Sequence, residues 1–347
     1  MGHENQEITD EKGELFEHFR FVADPAQSLL RIDKFLHGKI ENVSRNKVQQ
    51  TAAAGNILVN GKAVKQNYKV KPRDVISIVL STPPREIEIF PQEIPLNIIY
   101  EDDDLLIINK QAGLVVHPGH GNYDSTLLNG LAYHFEKTNQ KIENGFGYLV
   151  HRIDKDTSGL LLIAKNELAQ SKIGKQFYDH SIDRKYHAIV WGDFAEDEGT
   201  IEGHIGRSLK DRRVMTVFPD GEYGKHAVSH YKILKRFGYV SLVECKLETG
   251  RTHQIRAHFR YIGHPLFNDA RYGGDQILKG TTFTKYKQFV QNCFKILARQ
   301  ALNAYLLGFV HPSSGKKMLF ESEMPADMQT VLEKWDNYSR HKDLFED

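Results

Sequence analysis

In the run His151-Arg152-Ile153-Asp154-Lys155-Asp156-Thr157-Ser158-Gly159 one carboxylate, Asp154, stands between two cations, Arg152 and Lys155. An acid so placed stays ionised, because neighbouring positive charge favours the carboxylate. It can then act as a nucleophile or as a proton acceptor. Asp156 is explained by a turn, since Asp156, Thr157 and Ser158 can each bond nearby backbone groups and Gly159 tolerates the turn conformation. The count is one working carboxylate, which disfavours a glycosidase-type pair at defined separation. Seventeen histidines invite a metal site, but His253 and His258 lie five residues apart. On a helix they diverge by roughly 140°, whereas helical zinc pairs are four apart, so no metal is expected. There is no glycine-rich phosphate loop, and Ser158 lacks the G-x-S-x-G context of a nucleophile elbow.

Elements must hold that acid in place. Tyr148-Leu149-Val150 leads into the charged run and Leu160-Leu161-Leu162-Ile163-Ala164 leads out, two apolar flanks that read as buried strands around a tight loop. Lys185 to Val190 alternates as a strand with Tyr186, Ala188 and Val190 on one face. Glu248-Thr249-Gly250-Arg251-Thr252-His253-Gln254-Ile255-Arg256-Ala257-His258 is a second charged constellation. Thr252 is the expected cap of a helix whose apolar stripe is Ile255, Phe259 and Ile262, ended by Gly263. His253 and Arg256 then share a face, and Arg256 projects from the positive first turn, a suitable place to hold a carboxylate or phosphate.

The chain has 347 residues, enough for about two domains. No apolar run approaches the ~18 residues of a membrane span, and the acidic start (Glu4, Glu7, Asp10, Glu11) does not suit a secretory signal, so the cytoplasm is expected. Cys245 and Cys293 have no metal-like spacing and read as buried small hydrophobes. The net charge of +1 hides an uneven distribution. Residues 31–73 carry ten Lys and Arg, among them Arg31, Lys34, Arg45, Lys47 and Lys62, against Asp33 and Glu41, so this segment is +8 and the remainder −7. Such a module suits RNA phosphates, bound with salt-dependent affinity and little sequence information.

In chain order, residues 1–29 read as a disordered start or lead-in, with a short strand near Phe19-Arg20-Phe21. A compact unit follows at 30–80. It has one short helix around Asp33-Lys34-Phe35-Leu36, a second capped by Ser44 and ended by Gly55, a type I′ hairpin at Asn60-Gly61, and a strand at 75–79. Prolines at 83, 84, 91 and 95 mark 81–95 as a linker. The second domain spans 96–330, with strands at 105–110 and 113–118, a helix at 166–180 carrying Leu168, Ile173 and Phe177, polar hairpins or loops at 199–234, and an insertion with a basic helix at 275–298. Residues 331–347 read as a tail.

The stretch from His151 to Lys165 closely resembles the HRxDxxTSGLLLxAK signature of the RluA-type pseudouridine synthases. Asn109 to Pro118 is similar to that family's NKPxGLVVHP motif, with Gln111 where Pro is common. Thr249 to His258 is similar to TGRTHQIRxH, and His264 to Gly273 continues the match with Asn268 where Gly is common. Arg31-Ile32-Asp33, Ser44-Arg45, Gly55 and Val59-Asn60-Gly61 resemble the small RNA-binding domain of ribosomal protein S-four. Together the resemblances cover about 30–330.

They imply an α+β pseudouridine synthase fold on a mixed, largely antiparallel sheet, joined to a small α+β RNA-binding domain. The implied reaction isomerises uridine in RNA, most readily large-subunit ribosomal RNA, without a cofactor. Asp154 is its implied catalytic residue, Tyr186 lies against the uracil, and Arg256 first, Arg251 second, pairs with Asp154. Arg152 fills the stack vacated by the flipped base, Arg251 and His253 join the RNA face, and Leu160 and Ile255 wall the pocket. Nucleophilic and glycal routes both remain open. No obligate protein partner is evident, and a monomer is expected. The rival readings are a non-catalytic RNA-binding assembly factor on the same scaffold and the same enzyme acting on transfer RNA.

Overall fold

The computed structural model describes residues 16–341 other than 26, 41, 42, 81–87, 120, 210 and 212, and the acidic start lies outside them. The chain divides into two units, Met1–Glu88 and Ile89–Asp347.

The first unit comprises β1 (Phe16–Val22), β2 (Leu30–Arg31), α1 (Ile32–Lys39), α2 (Arg45–Ala53), β3 (Ile57–Val59), β4 (Lys62–Ala63), β5 (Lys69–Val70) and β6 (Val75–Leu80). Ser44 caps α2 by accepting from the Lys47 N–H at 3.1 Å. The β3–β4 turn has φ of 50° at Asn60 and 78° at Gly61, as a type I′ hairpin requires. Ile32, Leu36, Val48, Ile57 and Ile76 form its core. The short strand expected near Phe19-Arg20-Phe21 is β1, which pairs with β6 along most of its length, because Val75 to Leu80 would otherwise leave an unpaired edge.

The second unit comprises β7 (Ile98–Glu101), β8 (Leu105–Lys110), α3 (Leu127–Lys137), β9 (Tyr148–Leu149), β10 (Ser158–Ala164), α4 (Glu167–Tyr178), β11 (Asp183–Trp191), β12 (Glu198–Arg207), β13 (Met215–Phe218), β14 (Lys225–Arg236), β15 (Val240–Leu247), α5 (Gln254–Tyr261), α6 (Thr284–Ile296), β16 (Leu302–Val310), β17 (Lys317–Glu321) and α7 (Ala326–Arg340). Its sheet runs β13-β12-β14-β15-β11-β16-β10-β8-β7, with β17 on β16 and β9 on β10. Among the described residues only β10 and β16 pair in parallel. The sheet is thus mixed and largely antiparallel, as expected.

β10 is buried along its whole length, and its two faces enter different cores. Leu161 and Ile163 join Leu127, Phe135, Tyr186 and Phe259, whereas Leu160 and Leu162 join Ile107, Ile173 and Leu307. Gly159 is required at the start of this strand. Its φ is 115°, and a Cβ there would lie 2.1 Å from the Ala304 carbonyl oxygen. A third core of Trp191, Phe267, Tyr286, Val290, Val331 and Trp335 sits under α6 and α7.

Several expectations are corrected. Residues 113–118 form no strand. Their backbone instead bonds the start of α3 (Leu127 N–H to the Val115 oxygen, 2.8 Å) and the Asp154 loop (Gly113 N–H to the Lys155 oxygen, 2.9 Å), so Leu114 and Val116 are buried without a ladder. Residues 89–95, read as linker, fasten to α3 through the Gln92 N–H and the Asn129 side chain. Leu168 is exposed, and Ala169 packs in its place beside Ile173. Residues 199–234 keep the hairpin alternative, since β12 pairs antiparallel with both β13 and β14. The expected tail includes most of α7, whose Met328, Val331, Trp335 and Tyr338 recur at helical spacing and are buried. Asn268 replaces a glycine at φ 55°, a conformation asparagine tolerates, and its amide bonds the Leu297 and Phe294 oxygens.

Candidate active site

The loop before β10 is clamped by its backbone oxygens. Lys110 at the end of β8 is buried and donates from Nζ to the oxygens of Lys155 (2.8 Å), Gln111 (2.8 Å) and Leu114 (2.9 Å). Arg299 donates to the Asp156 oxygen at 3.1 Å and is itself held by Asp327 at the start of α7. Thr157 N–H closes the turn on the Asp154 oxygen. Ser158 Oγ donates to Asn303 on the parallel neighbour β16. Every backbone oxygen from Asp154 to Asp156 is thereby engaged, which fixes the loop that carries the Asp154 side chain.

The opposite wall is α5. Gln254 is buried and spends its whole amide on positioning: Oε1 accepts from Thr249 Oγ1 and the Arg251 N–H, and Nε2 donates to the Val228 oxygen and Ser229 Oγ. The residue flanking the helix is His253, at φ 53°, and not the expected Thr252. This turn brings His253 and Arg256 to the same carboxylate. Arg256 Nη1 donates to Asp154 Oδ2 at 2.8 Å, and His253 Nε2 lies 3.9 Å from the same oxygen. Between the two arginines left open, the geometry picks Arg256. Arg251 instead donates from Nε to the His226 oxygen.

Arg256 has a second carboxylate that sequence reasoning missed. Its Nε and Nη2 meet Asp269 Oδ2 and Oδ1 at 2.7 and 2.8 Å, and its guanidinium lies 4.9 Å over the Tyr272 ring. Burial opposes the charge, but bonding to Asp269 and Asp154 outweighs it and raises the Arg256 pKa. Asp269 and Tyr272 lie in the HPLFNDARYG stretch, so a signal existed without a role attached to it. Tyr272 accepts the Met215 N–H and faces His253 Nδ1 at 2.9 Å. Donating its own proton there leaves the imidazole hydrogen on Nε2, toward Asp154. Burial brings His253 down to about 4, which keeps it neutral near pH 7.

These groups open on a cavity of about 710 Å³, lined by Arg152, Ile153, Asp154, Arg184, Tyr186, Arg251, His253, Ile255 and Arg256 among others. Asp154 is 21% exposed, the one carboxylate on that wall. Tyr186 is 7% exposed, burial raises its pKa, and its hydroxyl has no hydrogen-bond partner among the described residues. Arg152 is exposed at the rim. Leu160 is not on this wall: it is 1% exposed in the core on the other side of the sheet, because adjacent strand residues point to opposite faces. Leu302 and Leu247 take the place assigned to it.

In the first unit the basic residues separate into two groups. Arg31 and Arg45 both bind the buried Asp33, at 3.0 and 2.9 Å, and Gln49 adds a third bond at 2.7 Å. Burial would raise the Asp33 pKa, but the bonds from Gln49, Arg31 and Arg45 hold it at about 2. These arginines therefore organise α1 and α2 first. Lys34, Lys47 and Lys62 are exposed, and no ion pair with a described residue engages them.

The family model for RNA pseudouridylate synthase matches residues 104–261, and the S4 domain model matches residues 30–76. A Chlorobaculum parvum protein described as an uncharacterized RNA pseudouridine synthase is 44% identical over 89% of this chain and 94% of its own length. A Zymomonas mobilis protein described as ribosomal large subunit pseudouridine synthase D is 41% identical over 87% of this chain and 92% of its own. Among solved structures, human RNA pseudouridylate synthase domain containing 4 shares the fold with a TM-score of 0.53 at 23% identity, over 69% of this chain and 93% of that one.

Proposed function

The chain belongs to the RNA pseudouridine synthase family, and from that premise we propose how its residues divide the work and on which RNA they act. The reaction is the isomerisation of uridine to pseudouridine in RNA. The bond between ribose C1′ and uracil N1 breaks, the base turns, and C1′ is rejoined through C5 while the C5 proton moves to nitrogen. Nothing is oxidised and nothing leaves, so the chemistry calls for no cofactor.

Asp154 is the catalytic carboxylate. It either attacks C1′ or takes a sugar proton on the way to a glycal, and both routes use its carboxylate oxygen. The observation that carries this reading is the 2.8 Å pairing of Asp154 with the buried Arg256. Tyr186 stacks on the uracil and retains it while it turns, with Ile255 as an apolar wall. Flipping the uridine out costs roughly a few kcal/mol. Arg152 at the rim fills the gap in the stack, and Arg251 and His253 contact the RNA around it.

The substrate we propose is large-subunit ribosomal RNA, which the name of the Zymomonas relative supports, with Lys34, Lys47 and Lys62 holding phosphates. We place the enzyme in the cytoplasm, as a monomer without an obligate protein partner. The test compares wild type with Asp154→Ala on unmodified ribosomal and transfer RNA transcripts, with pseudouridine mapped by chemical labelling and primer extension. Product from the wild type alone, on large-subunit RNA, is expected. Product from both proteins would remove Asp154 from the chemistry, and product on transfer RNA alone would overturn the substrate.

A further inference from the structure

Arg184 lies two residues before Tyr186 on β11 and lines the same cavity as Asp154. It is 8% exposed. Its guanidinium lies 5.1 Å over the Phe177 ring of α4, a ring whose centroid is also 4.8 Å from that of His151. On another side it lies against the Gly250 backbone, where an added Cβ would be 2.9 Å from Nη1. This close approach gives the glycine of the ETGRT stretch a physical reason. What Arg184 lacks is a polar partner. No described residue forms a hydrogen bond or ion pair with it, and its Nε is buried and unsatisfied.

Three other arginines around the site are engaged by acceptors, Arg256 by Asp154 and Asp269, Arg251 by the His226 oxygen and Arg299 by Asp327, and Arg152 stands exposed to water at the rim. His151 offers no compensating charge. Its Nε2 accepts the Leu162 N–H, and burial beside Arg184 brings its pKa down to about 3. A guanidinium cannot escape the cost of burial by losing its proton, and an unpaired buried cation is expensive. Aromatic stacking offsets part of that cost and directs the donors, but it supplies no acceptor.

We propose that Arg184 is the seat of an RNA phosphodiester flanking the flipped uridine, the ligand itself bringing the missing anion. Uracil is neutral, whereas the nucleotide reaching Asp154 carries a phosphate on either side, and the fork of a guanidinium matches phosphate oxygens in pairs. The assignment rests on the reading that this cavity receives a uridine within RNA.

The experiment uses the full chain as wild type, Arg184→Met, Arg184→Lys and Gly250→Ala, with a large-subunit ribosomal RNA transcript as probe. Binding is measured between about 50 and about 200 mM salt, where loss of one phosphate contact lowers the slope of log K against log salt by about 0.7–0.9. Arg184→Met should show that loss with roughly tenfold weaker binding, and Arg184→Lys should keep the slope. Gly250→Ala should weaken binding with the arginine still present, because its Cβ displaces the guanidinium. Without RNA, Arg184→Met should melt no lower than wild type, since it removes a buried charge that nothing pairs. Unchanged affinity and slope in Arg184→Met and Gly250→Ala would overturn the proposal. So would intact binding with only kcat reduced, which would assign Arg184 to the reacting base. Pseudouridine is scored on the same RNA with wild type, so failure of the substrate reading appears as missing product while the slope still decides the role of Arg184.

Discussion

Arg256 reaches one carboxylate with Nη1 and a second with Nε and Nη2, so its orientation is set from behind by Asp269 and its free edge is presented to Asp154. A lysine has a single point of charge and cannot span both. Arg256→Lys should therefore fold and bind RNA, yet lose about 10²-fold in single-turnover rate, the scale expected when a reacting group is misplaced by about 1 Å. A rate within a few-fold of wild type in rapid-quench assays would remove the positioning role. That one arginine pairs with Asp154 was legible in the motif around Arg256. That Asp269 and Tyr272 prepare it was not, because residues about thirteen and sixteen apart in sequence meet only when α5 and the following turn are packed.

At the scale of elements, β10 shows how a buried strand serves two cores. Leu160→Ala should cost about 2–5 kcal/mol in denaturant unfolding and leave the KM for RNA where it was, because Leu160 faces away from the cavity. A raised KM with unchanged stability would return it to the pocket wall. An unbroken run of apolar residues says that a strand is buried on both sides. It does not say which alternate set faces the ligand. In the first unit, α1 and α2 are joined through Asp33. Its native pKa of about 2 lies below the unfolded value near 3.9, so this contribution is complete above about pH 4 and is lost as pH falls through about 2. Hydrogen exchange of the amides in Ile32–Lys39 should speed up across that window in wild type. Asp33→Asn should be faster at neutral pH and change less on acidification; an identical pH response in the two would exclude this linkage.

At the scale of the whole molecule, the separation of a basic unit from a mildly acidic body predicts that affinity and chemistry can be reduced independently. Replacing Lys34, Lys47 and Lys62 together by Gln should lower the salt slope of RNA binding by about 2–3 and preserve turnover at saturating RNA. An unchanged slope in filter binding would mean that these lysines touch no phosphate. Composition and motif by themselves determined the family resemblance and the two-part organisation, and the type of sheet followed as what that resemblance implies. The first two are written in local runs, namely the charged loop between apolar flanks, the Asn60-Gly61 turn and the charge excess of 31–73. Only the tertiary structure decided that Arg256 and not Arg251 meets Asp154, that Arg31 and Arg45 are engaged internally, that Leu160 is core, and that Arg184 is buried without an acceptor. Those outcomes depend on which faces and backbone oxygens distant segments present to one another, and periodicity along a chain leaves that open until the segments pack.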